Sequence, residues 1–198
     1  MRRFALIAVL LLTLTGCEVG IDVGLPIDGN SPVARKEYPT VNLPVSLRQQ
    51  NWLGRKGEGS CVHAAMISLF RWNGYYHLAA KWLKKYGDGE VADSSWGLRD
   101  NLASKMDAEG VRYAYTTAGN VEFLEWACRT RRGCGVTVMG GRHMVVLVHF
   151  DDKLAGILDS NDTSQIIWVP RETFVAEWQN SNGWAVTPIY APAPPLPI

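Results

Sequence analysis

The sequence has few of the features that identify several large classes of protein. The apolar run at residues 4–14 is shorter than the roughly 20 residues that a membrane-spanning helix needs. The close CxxC and HxxxH pairs typical of zinc sites are absent, so we expect no metal, and nothing indicates another cofactor. There is no basic stripe with interleaved aromatic residues, and the formal net charge is +1, so we expect no nucleic-acid partner.

The N-terminus carries the pattern of a secretory signal. Arg2 and Arg3 precede the apolar run, and the small residues Thr15 and Gly16 follow it, directly before Cys17. The segment LTGC resembles the lipobox of bacterial lipoproteins. That resemblance implies that residues 1–16 are removed and that Cys17 carries acyl chains such as palmitate, tethering the protein to a membrane of the cell envelope, on the periplasmic or exterior side. An ordinary signal peptide cut nearby, or an uncleaved anchor, is the alternative.

The rest of the chain is predicted to form one domain. Eight tryptophans and 47% hydrophobic residues favour a packed core over disorder. Residues 17–46 contain Gly, Pro and Asn without a sustained period, which is typical of a tether. Residues 191–198 form a Pro-rich tail. The folded domain is therefore expected over residues 47–190.

The four cysteines add a constraint on this exported chain. With Cys17 lipidated, three remain, and an odd number leaves at least one thiol free or paired between chains. Cys128 and Cys134 are close enough in sequence for a possible disulfide, although sequence does not give its geometry. If they pair, Cys61 is the remaining thiol.

Hydrophobic periodicity predicts helices in the first half of the domain and antiparallel strands in the second, which is an α+β layout. The mostly apolar segment 61–72 predicts a buried helix that ends at a glycine turn. Asn120 is the expected N-cap of a later helix. The predicted helices span residues 61–72, 75–86, 94–108, 120–130 and 170–178, and the strands 111–115, 135–139, 143–150, 154–158, 165–169 and 184–190.

Cys61 is the candidate nucleophile. Ser60 occupies the N-cap position, which places Cys61 in the first turn of the buried helix. The positive end of a helix dipole favours the thiolate, which is the reactive form of cysteine. A buried structural cysteine is the alternative interpretation.

His143 is the candidate base, and Asp159 the candidate group that orients it. His143 opens a strand, whereas His149 lies on the same strand roughly 20 Å further along at ~3.3 Å per residue. Asp159 ends the returning strand of the hairpin, so it is expected beside His143 across the ladder, with Asn161 as its rival. The cluster that begins at Asp159 also has the composition of a simple turn.

Together these residues resemble the papain-like clan of cysteine peptidases. The order of helix-borne Cys61, strand-borne His143 and Asp159 on the hairpin partner is similar to the bacteriocin-processing, double-glycine-cleaving peptidases and their stand-alone relatives. The resemblance covers residues 47–190, although those relatives often have Cys-Gly-Pro where this chain has CVH. It also implies a glutamine that hydrogen-bonds the oxyanion, for which Gln50 is preferred and Gln49 is the rival.

The implied function is hydrolysis of amide bonds in a peptide or protein substrate by a Cys-His-Asp triad, through a thioester intermediate. A papain-fold lipoprotein that binds without catalysis is one alternative. Transglutaminase-like transfer or amidase chemistry with the same triad is another. A metal site that uses Cys61, His63, His143 and Asp159 is the remaining alternative, and the ligand spacing argues against it.

Overall fold

The computed structural model describes residues 38–52, 60–87 and 99–189. Within these ranges the chain forms a short 3₁₀ helix at Val45–Leu47, five α-helices and six strands. The helices are α1 (Cys61–Trp72), α2 (Tyr76–Gly87), α3 (Arg99–Ala108), α4 (Val121–Arg129) and α5 (Arg171–Asn180). The strands are β1 (Tyr113–Thr116), β2 (Cys134–Val138), β3 (His143–Phe150), β4 (Leu154–Asp159), β5 (Asp162–Pro170) and β6 (Ala185–Pro188).

The six strands form one sheet in the order β1-β6-β2-β3-β4-β5, and every neighbouring pair is antiparallel. Three helices precede most of the strands along the chain, so the predicted mixture of helices and an antiparallel sheet is confirmed. Strands β3, β4 and β5 follow one another along the chain and pair in the same order, so they form a β-meander. Because β3 and β4 are antiparallel, the start of β3 and the end of β4 lie at the same end of the sheet.

Strand β3 separates two hydrophobic cores because its side chains alternate between the faces of the sheet. Met144, Val146 and Val148 pack in one core with α1 and α2. Val145 and Leu147 pack in the other core with α4 and α5. Every residue of α1 except Arg71 is buried, which explains why its sequence is apolar on nearly all sides. Each large apolar side chain buried there contributes about 1.5–3 kcal/mol relative to exposure.

The edge strand β5 is longer than the sequence predicted. Its first residues are polar and largely exposed, so hydrophobic periodicity does not reveal them, although they pair with β4. Pro170 ends β5 and is the N-cap of α5, one position earlier than its predicted place in the first helical turn. Asn120 is the N-cap of α4 as predicted, and its side chain accepts a hydrogen bond from the backbone N–H of Phe123. The start of the helix predicted at residue 94 lies outside the described residues.

The packed part of the chain begins before residue 47. Val41 and Leu43, which fall in the predicted tether, are both 1% exposed, and the backbone N–H of Val41 donates to the carbonyl of Val148 over 2.8 Å. The signal segment 1–16, Cys17 and the tail 191–198 lie outside the described residues and stay predictions. None of the described helices combines the length and the hydropathy needed to cross a membrane.

The predicted disulfide between Cys128 and Cys134 was wrong, because both residues are free thiols. Cys128 lies in the last turn of α4 and Cys134 opens β2, and both are fully buried in the core between these elements. Proximity in sequence does not set the direction of the two Cα–Cβ bonds, which disulfide geometry requires. Burial raises the pKa of both thiols well above the usual range, so these cysteines are expected to be unreactive.

Candidate active site

His143 and Asp159 are in direct contact at the end of the sheet where β3 begins and β4 ends. The Nε2 atom of His143 lies 2.9 Å from Oδ1 of Asp159. The register of β3 and β4 pairs Val146 with Leu158, which puts Asp159 opposite Val145. The imidazole of His143 therefore reaches the carboxylate diagonally across the ladder. Of the two acceptors that the sequence left open, Asp159 rather than Asn161 is the one that contacts His143.

The Asp159 carboxylate also belongs to the turn that joins β4 and β5. Its Oδ1 accepts a second hydrogen bond, over 2.8 Å, from the backbone N–H of Asn161. Burial is the largest influence on its pKa and raises it, but the hydrogen bond and charge of His143 and the Asn161 N–H outweigh burial, so the pKa is lowered. The carboxylate is therefore an ionised acceptor at neutral pH, and Asp159 is both a turn residue and an orienting group.

This contact determines which nitrogen of His143 is available for chemistry. Nε2 faces an ionised carboxylate and therefore carries the proton that it donates. Nδ1 has no hydrogen-bond partner in the part of the chain that the structure describes. The side chain is only 6% exposed, so a buried imidazole presents one basic nitrogen whose tautomer is held by its neighbour. Such a nitrogen can take a proton from a thiol or an attacking water.

Cys61 is the first residue of α1, as the sequence predicted, and it is 1% exposed. Ser60 occupies the N-cap position, but its side chain makes no capping hydrogen bond. Cys61 is disulfide-bonded, and because Cys128 and Cys134 are free thiols, its partner lies outside the described residues. The sequence predicted Cys61 as a thiol nucleophile, and a sulfur in a disulfide cannot act as a nucleophile.

Gln50 lies beside the turn that follows Asp159. Its Nε2 donates to the carbonyl of Asn161 over 2.7 Å, and its Oε1 accepts from the Thr163 hydroxyl over 3.2 Å. Gln49 donates its backbone N–H to Ser68 and its side-chain amide to the carbonyl of Gln50. The structure therefore brings Gln50 to the β4–β5 hairpin, and its role as an oxyanion donor stays a prediction.

Asn51 is a residue of this site that sequence reasoning missed. It is 8% exposed, and its Oδ1 accepts from the backbone N–H groups of Ser60, over 2.8 Å, and Trp52, over 2.9 Å. Its Nδ2 donates to Oδ1 of Asn161 over 2.8 Å, and its backbone N–H donates to the carbonyl of Ser160. Asn51 therefore connects the residue that precedes Cys61 to the turn that holds Asp159. No local pattern marks it, because its partners in the Asp159 turn are about 110 positions away in sequence.

Two buried polar atoms near this network have no hydrogen-bond partner among the described residues. They are Nε1 of Trp52 and Oγ of Ser160, which adjoin Asn51 and Asp159 in sequence. A buried donor or acceptor left unsatisfied costs about 1–3 kcal/mol. The segments beside Asn51 and Asp159 therefore keep two buried polar atoms whose hydrogen bonds the described residues do not satisfy.

The other histidines have different surroundings. His63 is buried, accepts a hydrogen bond from Trp82 Nε1 over 3.2 Å, and stacks on Tyr86 with the ring centroids 5.2 Å apart. His149 pairs with Asp151 near the far end of β3. Among the described residues no three His, Cys, Asp or Glu side chains form a group that could hold a metal ion, so the alternative ligand set of the sequence analysis is not assembled.

Comparison with known proteins identifies the fold. No protein-family model and no curated protein matches the sequence. A protein of Bacillus anthracis that is assigned as a C39-like peptidase is similar in structure, with a TM-score of 0.59, 15% sequence identity and coverage of 79% of this chain and 98% of that chain. A double-glycine-motif protease from an AMS/PCAT transporter, solved with the leader peptide, gives a TM-score of 0.42 at 20% identity, covering 72% of this chain and 94% of that one. The first of these likenesses shows that the chain has a fold of the C39-like peptidase type, which is the fold that its sequence resembles.

Proposed function

We propose that the chain is a papain-like cysteine peptidase in which Cys61 is the nucleophile, His143 the base and Asp159 the orienting group. The observation that carries the proposal is the buried His143–Asp159 hydrogen bond, which leaves Nδ1 of the imidazole unoccupied. Further support comes from the fold and from the position of Cys61 at the N-terminus of α1, a helix that packs against β3. The helix dipole at that position favours a thiolate.

The proposed reaction has two steps. Nδ1 of His143 takes the proton of the Cys61 thiol, and the thiolate attacks the carbonyl carbon of a peptide bond. The C–N bond breaks as the imidazolium returns the proton to the leaving amine, which leaves a thioester. Water then attacks the thioester with His143 as base, which releases the acid and regenerates the thiol. Gln50 and the backbone N–H at the start of α1 are the proposed donors to the oxyanion.

Activity of this kind requires Cys61 in the reduced state. The residue is disulfide-bonded in the structure, and only the thiolate is a nucleophile. We therefore expect the disulfide-bonded form to hydrolyse peptides only after treatment with a thiol reductant. Reduction is not expected to disturb the core, because Cys128 and Cys134 are already thiols.

Substrate profiling with a mixture of peptides tests this proposal. The full chain is incubated with the mixture with and without reductant, and the products are identified by mass spectrometry. We expect new peptide termini with the reduced protein, and none with Cys61→Ala or with unreduced protein. Cys128→Ala is the matched control and is expected to retain cleavage. Transfer of acyl groups to amines without cleavage would indicate transglutaminase-like chemistry, and cleavage of cell-wall peptides alone would indicate an amidase.

A binding protein of the same fold is the second candidate, and the disulfide at Cys61 favours it. A cysteine that stays in a disulfide serves structure rather than catalysis. In this case peptides bind the unreduced protein without being cleaved. Reduced protein that binds peptides but never cleaves them would favour this candidate over the peptidase.

The proposed setting is the bacterial cell envelope, with the chain lipid-anchored through Cys17 on the periplasmic or exterior side. The support is the N-terminal sequence alone. Lipidation forms a thioether at the Cys17 sulfur. With Cys128 and Cys134 buried as thiols, a lipidated chain has no remaining cysteine to form an intrachain disulfide with Cys61, so we expect the anchored form to carry Cys61 in the reduced state. We expect the wild-type chain expressed in bacteria to incorporate labelled palmitate and to fractionate with membranes. Cys17→Ser is expected to do neither, and equal labelling of the two proteins would contradict the anchor.

A further inference from the structure

A cavity of about 700 Å³ lies at the opposite end of β3 from the candidate active site. Its walls come from the end of α4, the turn after β3, the start of α5 and the segment at Thr40, and they include Phe150 and three arginines: Arg129, Arg131 and Arg171. His143 begins the strand and Phe150 ends it, so the two sites are about 23 Å apart at ~3.3 Å per residue. The volume is in the range of small-molecule sites.

The cavity wall contains three acidic residues, and the carboxylates of two of them, Glu125 and Asp151, already have hydrogen-bond partners. The Arg171 guanidinium donates to Glu125 over 2.6 Å and to the carbonyl of Asp151 over 2.6 Å, and it lies 4.3 Å from the centre of the Phe150 ring. The Asp151 carboxylate accepts from His149 over 3.0 Å and, through its other oxygen, from the backbone N–H groups of residues 153 and 154. Only Asp152, exposed at the rim, has no partner among the described residues.

The side chains of Arg129 and Arg131 have no hydrogen-bond or ion-pair partner in the described part of the chain. Both residues line the cavity, Arg129 with an exposed side chain, and the donors of the two guanidinium groups are unused within the described residues. A guanidinium is a planar fork of donors that matches carboxylate and phosphate groups. The formal charges of the wall balance, with three arginines against Glu125, Asp151 and Asp152, but the hydrogen-bond donors that remain unused belong to Arg129 and Arg131 and are suited to an oxyanion.

The backbone at Arg131 indicates that its side chain is retained at some cost. Arg131 follows the last residues of α4 with a φ of 59°, and its N–H donates to Cys128 while that of Arg132 donates to Ala127. This is the Schellman arrangement, in which the left-handed position is usually glycine. The Arg131 carbonyl is further held by Trp72 Nε1 over 2.7 Å. An arginine that occupies a glycine position, with its side chain in a cavity, is expected to be needed for binding.

We propose that this cavity binds a small organic anion whose carboxylate or phosphate groups pair with Arg129 and Arg131. Arg171 is fixed by its own contacts and supplies a cationic wall, and Phe150 supplies an apolar surface for the carbon skeleton of the ligand. The site does not depend on the proposed peptidase activity, since it shares no residue with the candidate active site.

Isothermal titration of the full chain in an uncharged detergent tests the proposal with two probes. Glycerol 2-phosphate represents the phosphate class and succinate the carboxylate class, with sodium chloride at equal ionic strength as the blank. We expect saturable binding of at least one probe, and the stronger one identifies the class. Arg129→Gln and Arg131→Gly are each expected to weaken that binding about tenfold or more, because each removes a charged hydrogen-bond partner. Arg112→Gln removes an exposed arginine elsewhere and is expected to leave binding unchanged.

Arg131→Gly separates loss of binding from loss of structure. Glycine relieves the left-handed strain, so the thermal midpoint of the variant without ligand is expected to rise while its affinity falls. The proposal is overturned if neither probe binds at millimolar concentration. It is also overturned if Arg112→Gln weakens binding as much as Arg129→Gln and Arg131→Gly, because the probes would then respond to surface charge in general.

Discussion

Strand β3 carries two histidines, one near each end, and each pairs with an aspartate, but the second ring nitrogen of the two histidines has different surroundings. His143 lies 2.9 Å from Asp159, and His149 lies 3.0 Å from Asp151, each through Nε2. Each aspartate also accepts backbone N–H groups of its own turn. The Nδ1 atom of His149, however, accepts from Thr40, from the hydroxyl over 2.9 Å and from the backbone N–H over 3.3 Å. That of His143 has no such partner in the described residues.

The difference shows why a His–Asp pair alone does not identify a catalytic group. When both ring nitrogens are engaged, as in His149, the imidazole connects the segment at Thr40 to β3 and has no lone pair to accept a proton. When one nitrogen is free, as in His143, the same pair provides an oriented base. The second nitrogen therefore decides between a structural and a catalytic role.

The largest expected effect comes from removing each histidine in turn. His143→Ala is expected to lower the rate of peptide cleavage by the reduced protein about 10²- to 10⁴-fold, because a general base contributes that much. His149→Ala is expected to retain most of the activity and to lower the thermal midpoint, because Thr40 and Asp151 lose their partner. Equal losses of activity in the two variants, with both folded by circular dichroism, would contradict the distinction.

The second test compares two residues that hold the surroundings of the histidines, Asn51 near the His143 end of β3 and Thr40 near the His149 end. Asn51→Ala removes the side-chain hydrogen bonds to Ser60, Trp52 and Asn161, and it is expected to lower the free energy of unfolding by about 1–3 kcal/mol. Reduced Cys61 is also expected to react more slowly, because the start of α1 is no longer connected to the Asp159 turn. Urea titration and alkylation rates measure the two effects.

Thr40→Val is the matched change, because it removes only the hydroxyl that donates to His149. It is expected to cost about 0.5–1.5 kcal/mol and to leave the alkylation rate of Cys61 unchanged. If Thr40→Val lowered the alkylation rate of Cys61 as much as Asn51→Ala does, the two ends of β3 would not be independent.

The smallest expected effect is the pH dependence of the stability that the Asp159 and Asp151 carboxylates give to the fold. The folded-state pKa of Asp159 and that of Asp151 are both lowered, so each carboxylate stabilises the fold above the unfolded-state pKa of about 3.9. This contribution is lost as the pH falls through the folded-state value. Asp159→Asn is therefore expected to cost about 1–2 kcal/mol at neutral pH, and less as the pH falls below about 4.

Asp151→Asn is expected to show the same pH trend with a smaller amplitude, since the Asp151 side chain is 42% exposed and its interactions are screened. Only Asp159→Asn is expected to reduce cleavage as well. Urea titrations between pH 3 and pH 7 measure these differences. A wild-type advantage over Asp159→Asn that grows as the pH falls would contradict the assignment.

The sequence predicted those parts of the site that depend on local order. The apolar segment of α1 placed Cys61 at a helix start, and the spacing of two strands in one hairpin placed Asp159 near His143. It did not predict the role of Asn51, because this depends on contacts with residues about 110 positions away. The free thiols Cys128 and Cys134 were also missed, since side-chain direction is set by packing between α4 and β2.

The most direct test of the account is the pH dependence of iodoacetamide alkylation at reduced Cys61, read by mass spectrometry. Wild type and His149→Ala are expected to react well below the pKa of an ordinary thiol, about 8.5. His143→Ala is expected to require a pH near that value, because the thiolate loses its imidazolium partner. The account is contradicted if all three proteins give the same profile, or if Cys61 stays in its disulfide when the reductant is added to the folded protein.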